Sequence, residues 1–313
     1  MRAFLFPGQG SQAVGMGKAL AEASVHAREV FQEVDDALGQ NLFKLMSEGP
    51  ESDLTLTENA QPAIMANAIA TLRVLEKEGG ISLAEKAQYV AGHSLGEYSA
   101  LCAAGAFELG VTARLLKIRG QAMQAAVPVG VGAMAALLGA NIDTAQKLAD
   151  ASAAEGEIVT VANDNDPTQV VISGHKEAVE RAVGLVKDYG IKRGVLLPVS
   201  APFHCPLMQP AAEAMAVALT ENAPRAPIVP VIANVTAAPV SEAETIRNLL
   251  VQQVTGRVRW RESVRAMEDI GVTHFVELGG KVLTPMVKRS ATGEVETASI
   301  ITMDDIEALL KTL

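Results

Sequence analysis

One segment, Gly92-His93-Ser94-Leu95-Gly96, constrains this chain more than any other. A strand-like apolar run at 87–91 precedes it, and a helical run at 97–104 follows. A chain that turns from strand to helix in so few residues needs glycine on both sides, where a Cβ would block close backbone approach. The residue at the apex then sits at a helix N-terminus, where backbone N–H groups and the helix dipole favour negative charge. Gly-x-Ser-x-Gly in this setting reads as a nucleophile elbow, which makes Ser94 the candidate nucleophile. The plain alternative is a serine that caps a helix.

The rest of the chain alternates in the same way. A strand at 2–6 runs into the glycine-rich turn Pro7-Gly8-Gln9-Gly10-Ser11-Gln12. Helical patterns cover 24–38, 60–77 and 109–125, the second ending at Gly79-Gly80. Strands alternating with helices predict an α/β fold with a parallel sheet. Near Pro128 the texture changes. A strand at 133–138, a helix at 143–154, strands at 158–162 and 169–172 around an Asn/Asp/Pro turn, a helix at 176–189 and a strand at 192–197 follow in turn. The order β-α-β-β-α-β is that of a ferredoxin-like unit. The expected organisation is therefore a small subdomain, 128–198, inserted into a discontinuous larger one, 1–127 and 199–313. Pro198, Pro202 and Pro206 mark the return. A helix from 207, a strand at 227–232, helices at 242–254 and 261–270, a strand at 273–277 and a helix from 304 complete the pattern.

With 49% hydrophobic and 20% charged residues over 313 positions, the chain can bury a core of one large or two smaller domains. Its 26 Lys+Arg against 36 Asp+Glu give a net charge of −10, which argues against nucleic-acid or anionic-membrane partners. The two cysteines, Cys102 and Cys205, make neither a disulfide framework nor a cysteine zinc site, and fit a reducing compartment. The apolar run at the N-terminus is too short for a signal peptide, and no stretch has membrane-spanning character. The cytoplasm is the expected location. No metal-ligand spacing is present, and the glycine turn after the first strand lacks the lysine of a phosphate-binding loop.

A serine nucleophile needs a base. Of five histidines, His26 reads as a surface residue, His175 as a helix cap and His274 as a satisfied core residue within a strand. His93 adjoins Ser94, but neighbours around a sharp turn point apart. His204 lies in the proline-stiffened loop Ser200-Ala201-Pro202-Phe203-His204-Cys205-Pro206 and is the candidate base. No aspartate stands out as the third member of a triad: Asp188, Asp269, Asp304 and Asp305 have no distinguishing context. A backbone carbonyl or an amide could orient the histidine instead. Arg119, on a mostly apolar helix and followed by Gly120, is either a surface arginine or one turned into a cleft to grip a carboxylate. Cys205 as a thiol nucleophile would need an awkward pairing with its sequence neighbour His204.

Several segments taken together, in this order, resemble the malonyl-CoA:acyl carrier protein transacylases. They are Phe6-Pro7-Gly8-Gln9-Gly10-Ser11-Gln12, Gly92-His93-Ser94-Leu95-Gly96-Glu97-Tyr98, Arg119-Gly120, Pro202-Phe203-His204-Cys205, and Gln253 with Trp260. The resemblance runs from residue 2 to about 300. It implies a hydrolase-like α/β core with a parallel sheet and an inserted ferredoxin-like small subdomain. It also implies transfer of a malonyl group from malonyl-CoA to the phosphopantetheine thiol of acyl carrier protein. In that reading Ser94 attacks, His204 is the base, and the backbone N–H groups of Gln9 and Leu95 form the oxyanion hole. Arg119 pairs with the malonyl carboxylate, the carbonyl of Gln253 orients the histidine, Asn163 and His93 support the site, and Phe203 tunes acyl selectivity. The resemblance further implies a monomer with no bound cofactor and no metal. An acidic carrier protein would need a local basic patch, for which Lys281, Lys288 and Arg289, or Arg257, Arg259 and Arg261, are candidates. The alternatives are a trans-acting acyltransferase of a polyketide synthase, a malonyl-transfer subunit of a malonate decarboxylase, a serine thioesterase or esterase, and a non-catalytic carrier-protein binding module.

Overall fold

A computed structural model describes residues 1–199 and 201–313 of the chain. Its architecture is α/β, built on two sheets. The larger has six strands: β1 (Arg2–Phe6), β2 (Tyr89–Gly92), β7 (Val231–Ala233), β8 (Ala238–Val240), β9 (His274–Leu278) and β10 (Glu296–Ile300). Their order is β10-β9-β1-β2-β7-β8, parallel throughout except for β8, which runs antiparallel at one edge. Its central strands are apolar and buried on both faces: Ala3, Phe4, Leu5 and Phe6 are wholly inaccessible, as are Val90 and Ala91. Uninterrupted apolar runs of this kind are what a sheet covered on both sides requires.

The register decides where chemistry can sit. Phe6 pairs with Gly92, so β1 and β2 end side by side. The glycine turn after β1 and the elbow after β2 therefore emerge together at the carboxyl ends of two central strands, where open α/β sheets place their ligands. Two long helices back this region. Thr57–Lys77 is buried on nearly its whole surface and so lacks a clean apolar stripe. Leu109–Ala125 packs against it. Gly120 permits that approach, because a Cβ there would come within 2.6 Å of the Glu58 Cα.

The smaller sheet comprises β3 (Gly132–Leu138), β4 (Val159–Asp166), β5 (Gln169–His175) and β6 (Arg193–Leu196), in the order β4-β5-β3-β6 and antiparallel throughout. Helices Ile142–Ser152 and Lys176–Leu185 pack against it around Leu148, Ile172 and Val179. This is the β-α-β-β-α-β order expected from the sequence. Next to the larger sheet, β4 bridges to Val258 through Asp164 N–H to Val258 O (2.9 Å) and Val258 N–H to Ala162 O (2.8 Å).

Three expectations need correction. The Asn/Asp stretch 163–166 is not a turn: β4 continues through it, and the turn falls at Pro167-Thr168. The side chains of Asp164, Asn165 and Asp166 are buried but partnered, so the strand tolerates them. The strand expected at 227–232 shrinks to Val231–Ala233, because Pro227 and Pro230 have no N–H for a ladder. The preceding segment is instead pinned by Arg225 N–H to Ala106 O and Ile228 N–H to Ala104 O. The helix expected at 176–189 stops at Leu185. Strand β10 and the helix Leu283–Ser290 carried too short a pattern to be read.

Candidate functional site

The elbow forms as the glycines predict. A Cβ on Gly92 would lie 1.9 Å from the Gly96 carbonyl carbon, and one on Gly96 would lie 2.2 Å from Phe6 O. No side chain fits either position. Ser94, between them, has φ 54°, in the left-handed region that non-glycine residues rarely adopt. The helix Gly96–Ala103 starts immediately beyond.

His204 meets this serine from the loop after the smaller sheet, also with a positive φ of 56°. Its Nε2 is 2.7 Å from Ser94 Oγ, and its Nδ1 is 2.8 Å from Gln253 O. A carbonyl can only accept, so Nδ1 carries the hydrogen and Nε2 is left to accept from the serine hydroxyl. A backbone carbonyl on the helix Ala243–Thr255 thus holds the imidazole where a carboxylate would stand in a triad. Burial, reinforced by the Arg119 charge, pushes His204 down to about 3, so the ring is neutral at pH 7.

Arg119 is 1% exposed. Its guanidinium donates to Gln61 Oε1 (2.8 Å), Gln253 Oε1 (2.9 Å) and Ser94 Oγ (3.2 Å), and stands 5.7 Å from the Tyr98 ring. Each hydrogen-bond partner is a neutral oxygen. Among the described residues no carboxylate is within ion-pair distance, and Nε has no partner. The nearest compensation is Glu97, linked through one amide: Gln253 Nε2 donates to Glu97 Oε2 at 2.8 Å while its Oε1 accepts from Arg119. Burial raises Glu97 to about 7.

These groups open onto a cavity of about 220 Å³ lined by Gln9, His93, Ser94, Leu95, Arg119, Asn163, Phe203 and His204, with Met123 and Met134 among its apolar walls. The backbone N–H groups of Gln9 and Leu95 make no hydrogen bond to any described residue. The arrangement combines a serine bonded to a neutral imidazole, two uncommitted backbone donors and a buried cation that lacks an anion.

Residues 3–303 match the family described as the acyl transferase domain. The chain belongs to the acyl transferase family. It is 46% identical over 288 residues to the malonyl CoA-acyl carrier protein transacylase of Escherichia coli K12, with 92% of each chain covered. It is 44% identical over 312 residues to the protein of that name from Bacillus subtilis 168, covering 99% of this chain and 96% of the relative. Among solved structures, an acyl-carrier-protein-S-malonyltransferase from Bartonella henselae superimposes with a TM-score of 0.96 at 54% identity, covering 99% and 98% of the two chains. A malonyl-transacylase in complex with a type II polyketide acyl-carrier protein superimposes with a TM-score of 0.95 at 40% identity, covering 100% and 99%.

Within this acyl transferase the sequence-derived residues fall in two groups. Ser94, His204, Arg119 and Gln253 converge through direct hydrogen bonds. Gln9, Leu95, Asn163, His93 and Phe203 line the cavity. His93 turns away from the serine, its Nε2 lying 2.8 Å from Asn165 Oδ1 on β4. Ser200 lies outside the described residues. His274 corrects an expectation: its ring is 42% exposed at a strand start and pairs with Glu296, so it is not a core residue. His175 does not cap its helix, because its Nδ1 accepts from Ile158 N–H at 2.8 Å. Burial raises the Cys205 thiol, the reverse of what a nucleophile needs, and its Sγ donates to Pro202 O. Arg261 and Arg289 are bound to Asp164 and Asp166, and Arg257 and Arg259 to Glu262. Gln61, Glu97 and Asn234 were missed as candidate site residues. They are polar residues within apolar or strand-end segments, and no local pattern marks them.

Proposed function

We infer that this protein transfers the malonyl group of malonyl-CoA to the phosphopantetheine thiol of acyl carrier protein through a malonyl-serine intermediate, supplying extender units for fatty acid synthesis. Arg119 carries this reading: a buried guanidinium 3.2 Å from the nucleophile, without an ion-paired carboxylate, suits a substrate that brings its own. Acyl groups with no carboxylate would leave that charge unpaired.

In this mechanism Ser94 Oγ attacks the thioester carbonyl while its proton passes to His204 Nε2. Negative charge on the carbonyl oxygen is met by the N–H groups of Gln9 and Leu95. The C–S bond then breaks, and the CoA sulfur leaves with the proton held by His204. The carrier thiol gives its proton to His204, attacks the acyl-serine and reverses the sequence. The Gln253 carbonyl keeps Nδ1 protonated throughout. Thioester, ester and thioester differ little in energy, so two matched steps replace one exchange. The apolar walls near Met123, Met134 and Phe203 help exclude water from the ester. We assign residues 128–198 as the small subdomain that roofs this cavity and 1–127 with 199–313 as the catalytic subdomain.

The deciding experiment is intact-protein mass spectrometry after mixing with malonyl-CoA or acetyl-CoA, with Ser94→Ala as control. The expected result is a malonyl adduct that is absent in the variant and discharged by holo acyl carrier protein. Steady release of CoA without an adduct would indicate a hydrolase and overturn the assignment. A second reading, service to a polyketide carrier protein, is favoured by the likeness to the polyketide complex. Discharge rates with fatty-acid and polyketide carriers in parallel distinguish the two.

A further inference from the structure

Ser94 sits in a backbone conformation that persists only where its surroundings enforce it; Gln253 Nε2 donates to its carbonyl at 3.0 Å, and a second distant side chain holds its N–H. Asn234 follows β7 directly and is 1% exposed. Its Oδ1 accepts from the Ser94 backbone N–H at 2.8 Å, and its Nδ2 donates to Gly92 O at 2.7 Å. One amide therefore grips the elbow on both sides of its apex. The main chain of Asn234 is fixed as well: its N–H donates to Glu97 Oε2 at 3.0 Å and its carbonyl accepts from Arg259 N–H at 3.0 Å. Gln253 Nε2, 3.3 Å from Asn234 Oδ1, ties the same amide to the residue that holds His204 and Arg119.

We propose that Asn234 is a positioning residue for serine acylation, setting the direction in which Ser94 Oγ points toward His204 Nε2. The argument is geometric. Ser94 N–H is consumed by Asn234 and so faces away from the reacting carbonyl, leaving Gln9 and Leu95 as the donors on the other side. Rotation of the Ser94 peptide would break this bond, swing Oγ from its 2.7 Å contact with His204 and present the wrong N–H to the cavity. An amide serves both ends at every pH, since the clamp needs an acceptor for an N–H and a donor for a carbonyl on one planar group. Alanine offers neither. Aspartate keeps the acceptor but sets its second oxygen against Gly92 O, beside Glu97. Misplacement of an attacking atom by a fraction of an ångström lowers the acylation rate without weakening the ground-state contacts of the substrate.

The proposal rests on the malonyl-transfer reading, and its test separates the two. Malonyl-serine formation is followed by rapid quench and mass spectrometry over a range of malonyl-CoA concentrations, for wild type, Asn234→Ala and Asn234→Asp. Rates are normalised to the folded fraction, measured by thermal unfolding. The expected result is a maximum acylation rate 10- to 100-fold lower in both variants, with the half-saturating malonyl-CoA concentration changed less than about threefold and the malonyl-to-acetyl preference retained. If Asn234→Ala folds poorly, Asn234→Asp, which keeps shape and one bond, gives the same reading. A rate per folded molecule within about threefold of wild type, accompanied only by a lower melting temperature, makes Asn234 a scaffold residue and overturns the proposal. Absence of a malonyl adduct in wild type would instead refute the transferase reading.

Discussion

Two regions of the molecule set arginines against buried polar groups, and they treat charge in opposite ways. Where β4 meets the larger sheet's helices, each buried carboxylate has its own arginine: Asp164 with Arg261 and Asp166 with Arg289, both at 2.8 Å. Beside Ser94 the relation is inverted. Among the described residues Arg119 is the most deeply buried arginine; its guanidinium donates to amide and hydroxyl oxygens, and the carboxylate of Glu97 is reached through the amide of Gln253. The first cluster is electrostatically complete and holds two parts of the fold together. The second holds a guanidinium with no ion-paired carboxylate among the described residues. A buried pair and a buried unpaired cation differ in purpose more than in stability, since burial of either carries a desolvation cost.

The contrast predicts different failures. Arg119→Ala should lower malonyl transfer by on the order of 10²-fold or more, while acetyl transfer falls less or rises. Acylation rates with the two CoA esters check this, and equal losses would erase the distinction between the clusters. Arg261→Ala leaves Asp164 buried without its cation and should destabilise the fold by about 3 kcal/mol. Arg289 is 45% exposed and Asp166 retains Thr168 as a partner, so Arg289→Ala should lower stability by about 1 kcal/mol. Urea titration measures both, and the malonyl-to-acetyl ratio should stay constant. A changed ratio would mean that the structural pairs also set specificity.

The smallest effect concerns pH. Glu97 has its folded pKa raised to about 7 from an ordinary 4.5. Below pH 4.5 both states hold the proton. Between 4.5 and 7 the unfolded chain releases it first, so Glu97 subtracts stability as pH rises through this window. Glu97→Gln should therefore gain in melting temperature relative to wild type between pH 5 and 7. A constant difference across that range would place Glu97 in a more polar setting than its burial implies. His204, whose folded value is depressed, acts in the other sense: its contribution is present above pH 6.5 and is lost as pH falls toward 3.

What could be read from the sequence depended on how local its cause was. The elbow was legible because the steric demand of Gly92 and Gly96 acts within five residues. His204 was legible because prolines stiffen its loop, and Arg119 because a cation on an apolar helix asks for a reason. The β-α-β-β-α-β succession of the small sheet and its helices followed from periodicity and turn residues, whereas the strand order did not. Asn234 was not legible, since its contact with Ser94 spans 140 residues and depends on β7 lying beside β2. Glu97 stood in the segment Gly92–Tyr98 with no role of its own, because its partners Asn234 and Gln253 lie more than 130 residues away. The Asn/Asp run at 163–166 misled for a related reason: polar residues read as a turn until Arg261 and Arg289, about a hundred residues on, turn them into a buried strand end.

The chain path also sets an order of events during synthesis. Ser94 and His204 are separated by 110 residues, with the whole small sheet between them. That sheet leaves and rejoins the body at one place, where a side chain on Gly132 would strike the Pro202 ring. Strands β7 and β9, which flank β1 and β2, are made later still. Long-range contacts of this kind form only after the intervening chain has closed its loops. Ser94 is therefore made well before His204, Asn234 and Gln253, and a ribosome-bound chain ending near residue 130 carries the elbow without the groups that meet it. Activity regained on refolding should trail the recovery of helical signal, because it reports the closing of the last loop.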